Sequence, residues 1–261
     1  MPAYKNNYKS EPLPPPPFEC HLHTPVEDYD LNFVLPVTEL RSDRVELRPL
    51  IPSLHAQPLL DGVLANPELL LWLGVTREWS TLDDVCDWIE TVCRRDKTHL
   101  HYAIYSAPLD RLDAPVEEYQ FAGTAALMEA DPSTMIIEIG WLIILGPFQR
   151  THVLTHTSGL MMHRSLDTPE QGGLGFRRLQ WKANSLNQKS QAAALRLGYK
   201  FEGIVRAFVV LPKGKKGVRA GRPGVPNADR EQRDTWMGSI TWFEWEEGVN
   251  AHVDKLVARR D

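Results

Sequence analysis

The stretch Glu138–Thr155, E-I-G-W-L-I-I-L-G-P-F-Q-R-T-H-V-L-T, constrains the fold more than any other part of this 261-residue chain. From Met135 to Ile144 it is almost continuously apolar, the pattern of a strand covered on both faces at the centre of a sheet. Gly146-Pro147 turns the chain, and a helical pattern follows from about Arg150 to Leu166. A helix entered through such a turn exposes unpaired backbone N–H groups and the positive end of its dipole. That is a seat for phosphate, with Arg150 as a charge and Thr151 and Thr155 as hydroxyl donors.

The rest of the chain supplies what a central strand needs on either side. Strand patterns are predicted at Val45–Leu50, His101–Ser106, Phe121–Met128, Arg178–Ala183, Phe201–Leu211 and Thr235–Trp245. Helical patterns follow Pro52 and Thr81, the second carrying Val85, Trp88, Ile89 and Val92 at helical spacing. A short alanine-rich helix is predicted from Gln188 to Leu197, with Asn187 as its cap, Ser190 near the third position and Gly198 as its stop. The order is that of an α+β protein around one mixed sheet of about seven strands.

Two segments stand apart. Eight of the twenty prolines precede Val37, so residues 1–36 read as a proline-rich arm, either a free tail or a strap that buries Tyr29, Leu31, Phe33 and Val34. Residues 37–261 form the domain. Within it Lys213–Arg233 holds four glycines and seven Lys or Arg residues, the composition of a mobile basic loop.

A net charge of −5 argues against a nucleic-acid binder. No apolar run is long enough to cross a bilayer, and no secretion signal is visible at Met1–Lys9, so a cytoplasmic protein is expected, with no membrane or nucleic-acid partner. The three cysteines fall in no metal-ligand spacing; no metal is expected, and Cys86 and Cys93 read as core-facing thiols. Trp72, Trp79 and Trp88 are expected to pack the helices, and Trp141 and Trp181 to lie on central strands.

Taken with the run L-Q-W-K-A-N-S-L-N-Q-K-S-Q-A-A-A-L-R-L-G-Y-K-F from Leu179 to Phe201, the central stretch resembles the GNAT superfamily of N-acetyltransferases. Among its branches the chain is most similar to the RimJ/RimL-like proteins, over roughly Val37 to Trp245. The resemblance implies a strongly twisted mixed sheet splayed open at its centre, helices on both faces, and acetyl-CoA in the V-shaped gap. Two departures matter. The superfamily often has a tyrosine at the position of Ala194, where it protonates the leaving thiolate; the RimL-like branch is similar to this chain in carrying a serine at Ser190 for that part. The pyrophosphate loop of the superfamily, Gln/Arg-x-x-Gly-x-Gly/Ala, here reads Gln149-Arg150-Thr151-His152-Val153-Leu154, with both small residues replaced. Helical backbone needs no glycine, so the N–H groups can still face phosphate.

The resemblance thus implies an acetyl-CoA-dependent N-acetyltransferase acting on a primary amine of a small molecule or a protein N-terminus. Glu138 among Ile136, Ile137 and Ile139 is the candidate base, its alternatives a structural carboxylate or a solvated residue on an exposed face; Ser190 is the candidate acid, its alternative a helix cap. Candidate acetyl-CoA contacts are Leu142, Ile143, Ile144, Gln149, Arg150, Thr151, His152, Val153, Leu154, Thr155 and Asn187. Direct attack in a ternary complex is expected, since no cysteine lies near the motif. The basic loop is expected at the acceptor side, and the protein as monomer or homodimer. The alternative of another class is a non-catalytic acyl-CoA-binding or scaffolding protein.

Overall fold

The computed structural model describes residues 20–75 and 78–260. In chain order the elements are β1 (Leu40–Arg41), β2 (Val45–Pro49), α1 (Pro52–Ala65), α2 (Leu82–Trp88), β3 (Leu100–Ser106), β4 (Gln120–Asp131) and β5 (Ile136–Ile144). Then come α3 (Val153–Leu166), β6 (Arg178–Asn184), α4 (Gln188–Arg196), β7 (Lys200–Val210), β8 (Gln232–Thr241), the single turn α5 (Trp242–Glu244) and α6 (Asn250–Val257). The strands make one sheet of eight in the order β1-β2-β3-β4-β5-β6-β8-β7. Only β5 and β6 run parallel; every other neighbouring pair is antiparallel.

Local chemistry sets the boundaries. Pro52 stands in the first turn of α1, where its missing N–H costs nothing. Thr81 and Asp84 close a reciprocal capping box on α2, which continues through Ile89–Arg94 as π-helical turns. Gly123 has φ +135, and a Cβ there would lie 1.8 Å from the Ile143 carbonyl oxygen. Only glycine lets β4 approach β5 this closely.

Alternation along β3 separates the two faces of the sheet. His101 packs edge-on against Trp88 of α2, ring centroids 5.2 Å apart. Its neighbour Tyr102 faces the other side, donating from its hydroxyl to the Thr38 carbonyl at 3.2 Å. On that second side lie α3, α4 and α6: Arg196 of α4 donates to Thr155 Oγ1 at 3.1 Å, and Gly159 of α3 admits Val253 and Val257 of α6. The core fills both faces, from Val45, Leu47 and Ile104 through Leu127, Ile137 and Ile139 to Leu179 and Ile240, all essentially fully buried.

The structure corrects several expectations. There are eight strands, the additional one being the two-residue β1 on the outer edge. The last strand runs from Gln232 to Thr241 rather than Thr235 to Trp245. It stops because Thr241 and Glu244 form a second capping box that starts a helical segment instead. Nor does α3 begin at Arg150. Gln149 is extended, Arg150 has φ +62, and helix starts only at Val153.

The expected arm lies partly outside the described residues, at 1–19. From Cys20 onward it lies along the domain: Asn32 Nδ2 donates to the Arg94 carbonyl at 2.7 Å, Val34 N to the Lys97 carbonyl at 2.8 Å, and Arg164 to the Pro36 carbonyl at 2.8 Å. The basic loop, expected to be mobile, is tied down. Val218 N donates to Gln232 O at 2.9 Å, Gly217 N to Glu231 at 2.7 Å, and Lys215 Nζ to the Leu70 carbonyl at 2.7 Å. Its glycines serve close approach: a Cβ on Gly217 would sit 2.3 Å from Gln232 O.

Candidate active site

The parallel pair β5–β6 is short. Its registered partners are Ile136↔Arg178, Ile137↔Leu179 and Glu138↔Gln180, and there the ladder ends. From Ile139 to Ile144, β5 keeps β4 on one side but, among the described residues, has no strand on the other. Trp141, at φ +48, lies in a bulge where the β4–β5 register shifts between Thr124 and Ala126. The two strands therefore fork into a V whose β5 wall runs through Leu142, Ile143 and Ile144, with the Ile144 carbonyl taken by Gln149.

Glu138 stands at the apex of the fork, only 4% exposed. Burial pushes its carboxyl up from the usual 4.5 to about 7, against the opposing pull of Lys182 and Arg233; Glu129 adds to the rise. Lys182 Nζ lies 2.8 Å from Glu138 Oε2, off the line of a well-formed hydrogen bond, and donates to Glu129 Oε2. Arg233 on β8 completes this four-charge cluster, and its buried Nε has no partner among the described residues. His101, Ala126 and Gly140 are cross-strand partners on the α2 face, and Glu138 shares that face with Gly140. The wall above it is aromatic. Trp141 and Trp88 pack with centroids 5.5 Å apart, and Trp88 and Trp79 with centroids 5.0 Å apart.

Ser190 lies on the opposite face. Its backbone N–H is capped by Asn187 Oδ1 at 3.2 Å, and its Oγ accepts from Trp181 Nε1 at 3.0 Å. Because Oγ is the acceptor in that bond, its own proton is committed to no described residue. Ala194 is fully buried and brings no hydroxyl. Beside Trp181, edge-on at 5.4 Å, sits Tyr199, 2% exposed, whose hydroxyl lacks a partner among the described residues. Burial raises its pKa well above normal, and the field of Glu138 adds to this.

At the open end of the V is the loop before α3. The backbone N–H groups of Arg150, Thr151, His152, Leu154 and Thr155 have no acceptor among the described residues. Arg150 is left-handed at φ +62, and His152, two residues on, is right-handed at φ −64 and ψ −21. The side chains differ from expectation. Thr151 Oγ1 donates to Phe148 O at 2.7 Å and accepts from Val153 N at 3.3 Å, so it caps the loop. Thr155 Oγ1 takes Arg196, His152 Nε2 meets Ser106 Oγ at 3.1 Å, and Gln149 Nε2 donates to Ile144 O at 3.1 Å. Arg150 alone of these polar side chains stays exposed with no described partner, while Val153 is buried in the core. Asn187 caps α4 and does not reach across to this loop.

The sequence singled out Glu138, Ser190 and the loop, and did not single out Lys182, Glu129 or Tyr199, which the structure places around Glu138 or beside Trp181. Lys182 carried one available signal: it follows the apolar Trp181 on a central strand, where a lysine must find a buried anion.

The model for the acetyltransferase (GNAT) domain matches residues 44–200, and the chain belongs to that family. It is an acetyltransferase of GNAT type, a family that uses acetyl-CoA. Among solved structures it is similar to a GCN5-related N-acetyltransferase from Brucella melitensis, with 24% identity, 85% of this chain and 86% of that one covered, and a TM-score of 0.66. It is also similar to Mycobacterium smegmatis RimJ in complex with CoA-disulfide, with 17% identity, 84% and 93% covered, and a TM-score of 0.58. A third is the acetyl transferase from Salmonella typhimurium that modifies the N-terminal serine of 50S ribosomal protein L7/L12, with 18% identity, 78% and 99% covered, and a TM-score of 0.57. At these identities the likeness is one of fold. No curated protein matches the chain. No helix among the described residues is long and apolar enough to cross a membrane.

Proposed function

We propose that this chain moves an acetyl group from acetyl-CoA to a primary amine, on a small molecule or a protein N-terminus, by direct attack in a ternary complex. The observation that carries the reading is Glu138, a buried carboxylate with its pKa near neutrality, at the point where β5 loses its parallel partner. Acetyl-CoA supplies the acyl group activated as a thioester. The edge of β5 at Leu142, Ile143 and Ile144 suits a pantetheine arm and a thioester carbonyl, and the N–H groups of the loop at Arg150–Thr155 suit the phosphates. Glu138 takes a proton from the acceptor ammonium, and Ser190 has a free O–H to return one to sulfur. Cys86 and Cys93 are buried among the residues of α2 and its extension, so neither thiol is placed at the fork to carry a covalent relay.

The acceptor enters on the α2 face, where Glu138 points and where Lys215 ties the basic loop to Leu70. Aromatic walls and a pinned loop suit a slender amine: a small molecule or the free end of a polypeptide, as in the ribosomal-protein acetyltransferase from Salmonella typhimurium. The test is thiol release from acetyl-CoA against a panel of small amines and N-terminal peptides, with Glu138→Gln alongside. No release above the uncatalysed rate with any acceptor overturns the reading.

A further inference from the structure

Lys182 lies on β6, two residues beyond the last β5–β6 pair, on the wall of the fork. Its side chain is 11% exposed and reaches across β5 toward β4: Nζ is 2.8 Å from Glu138 Oε2 and donates to Glu129. The ring of Phe208 stands 5.8 Å from the ammonium on the same side. A primary amine is therefore already seated against the carboxylate that an external acceptor would have to reach.

We infer that Lys182 is itself an acceptor, and that the chain transfers an acetyl group to its own Lys182 Nζ when acetyl-CoA is present without another amine. This rests on the proposed roles of Glu138 and the fork. The step balances within the site. The Lys182 ammonium gives one proton to Glu138, and the freed Nζ lone pair forms the bond to the thioester carbon. The carbon–sulfur bond breaks, and the second proton leaving nitrogen balances the one the sulfur gains by way of Ser190. The products are acetyl-lysine, the free thiol of CoA and one proton passed from Glu138 to water.

Holding nucleophile and base together removes the orientational cost that an external amine must meet. Against this, the proton is held firmly: burial would lower the Lys182 pKa, but the Glu138 and Glu129 carboxylates outweigh it and raise it. Around Glu138 the charged and titratable groups are Lys182 on β6, Glu129 on β4, Arg233 on β8 and Tyr199 just before β7. Arg233 stays in place after the transfer, so Glu138 keeps one cation when Lys182 loses its charge. Two exposed lysines lack the arrangement. Lys200 and Lys213 are 69% and 77% exposed and pair with Glu244 and Asp229, outside the fork.

The experiment incubates the full chain with acetyl-CoA alone and maps acetylated peptides by mass over time. Lys182 is expected to reach one acetyl group per chain at a rate independent of protein concentration, and about 10²-fold more slowly in Glu138→Gln. Lys200 and Lys213 should be modified slowly and equally in both proteins. A Lys182 that stays unmodified while small amines are turned over overturns this inference and spares the proposed function; failure of both reactions overturns both. Equal Lys182 labelling in wild type and Glu138→Gln also overturns it. Should that variant not fold, a wild-type rate proportional to protein concentration does the same.

Discussion

Glu138→Gln turns the buried carboxylate into a stability measurement that needs no substrate. The carboxyl is raised from 4.5 to about 7 by burial, and only 4% of the residue is exposed, so little solvent screening applies. Below about pH 4.5 folded and unfolded chains both carry the proton. Between 4.5 and about 7 the folded chain still holds a proton that the unfolded chain has released, so stability falls as pH rises. Above about 7 the whole cost of a buried charge is present. At about 1.4 kcal/mol for each tenfold change in proton affinity, the rise is worth about 3 kcal/mol. The amide introduced by Glu138→Gln cannot ionise, so the stability of that variant minus that of wild type should grow by about 3 kcal/mol from about pH 4.5 to about pH 8. Every other titrating group acts on both proteins and cancels to first order. Urea unfolding followed by tryptophan fluorescence, at half-unit steps of pH, measures the difference. Parallel stability curves would refute the reasoning: Glu138 would then titrate as an ordinary carboxylate, with no claim to be a base near neutral pH.

Three further outcomes are expected. Acetyl-CoA at about a hundred times its dissociation constant should stabilise the chain by about 2.7 kcal/mol, read as a rise in melting temperature; no rise would contradict the fork and the loop before α3 as its seat. Ser190→Ala should lower turnover by about 10²-fold or more while acetyl-CoA affinity holds; full turnover with a lowered melting temperature would leave Ser190 as the partner of Trp181 and nothing else. Gly217→Ala places a Cβ 2.3 Å from Gln232 O and should lift the basic loop from its neighbours, raising the acceptor's Michaelis constant and sparing that of acetyl-CoA. The reverse pattern would put the loop on the cofactor side.

Much of the fold was legible because burial leaves its mark on composition. The run Ile136–Ile144 could only be central, and the capped starts at Thr81 and Asn187 are local chemistry visible in a few residues. What failed did so where a competing local bond won. Thr241 and Glu244 cap a helix and cut the last strand at Thr241. The basic loop looked mobile by composition, yet Gly217 and Gly221 are placed for close approach: Cβ atoms there would meet carbonyl oxygens at 2.3 and 2.4 Å. Composition cannot tell a glycine that permits motion from one that permits contact.

The site divides along the same line. Where the chemistry needs a side chain, the residue type betrays it: Glu138 is the lone carboxylate in an apolar strand, and burial gives it the raised pKa that position implies. Where the chemistry needs backbone, the residue type is free. Thr151, Thr155, His152 and Gln149 look like ligands in sequence, but their side chains hold Phe148, Arg196, Ser106 and Ile144 instead. On the proposed reading, phosphate would be left to backbone N–H groups, and His152, right-handed at φ −64, needs no glycine for its conformation. The conformational demand falls one turn earlier, on Arg150 at φ +62, a position where a non-glycine residue is held in a sparsely populated region. Loss of the small residues from the pattern therefore does not by itself rule out the proposed anion site: the one left-handed corner of the loop is held by a cation, Arg150.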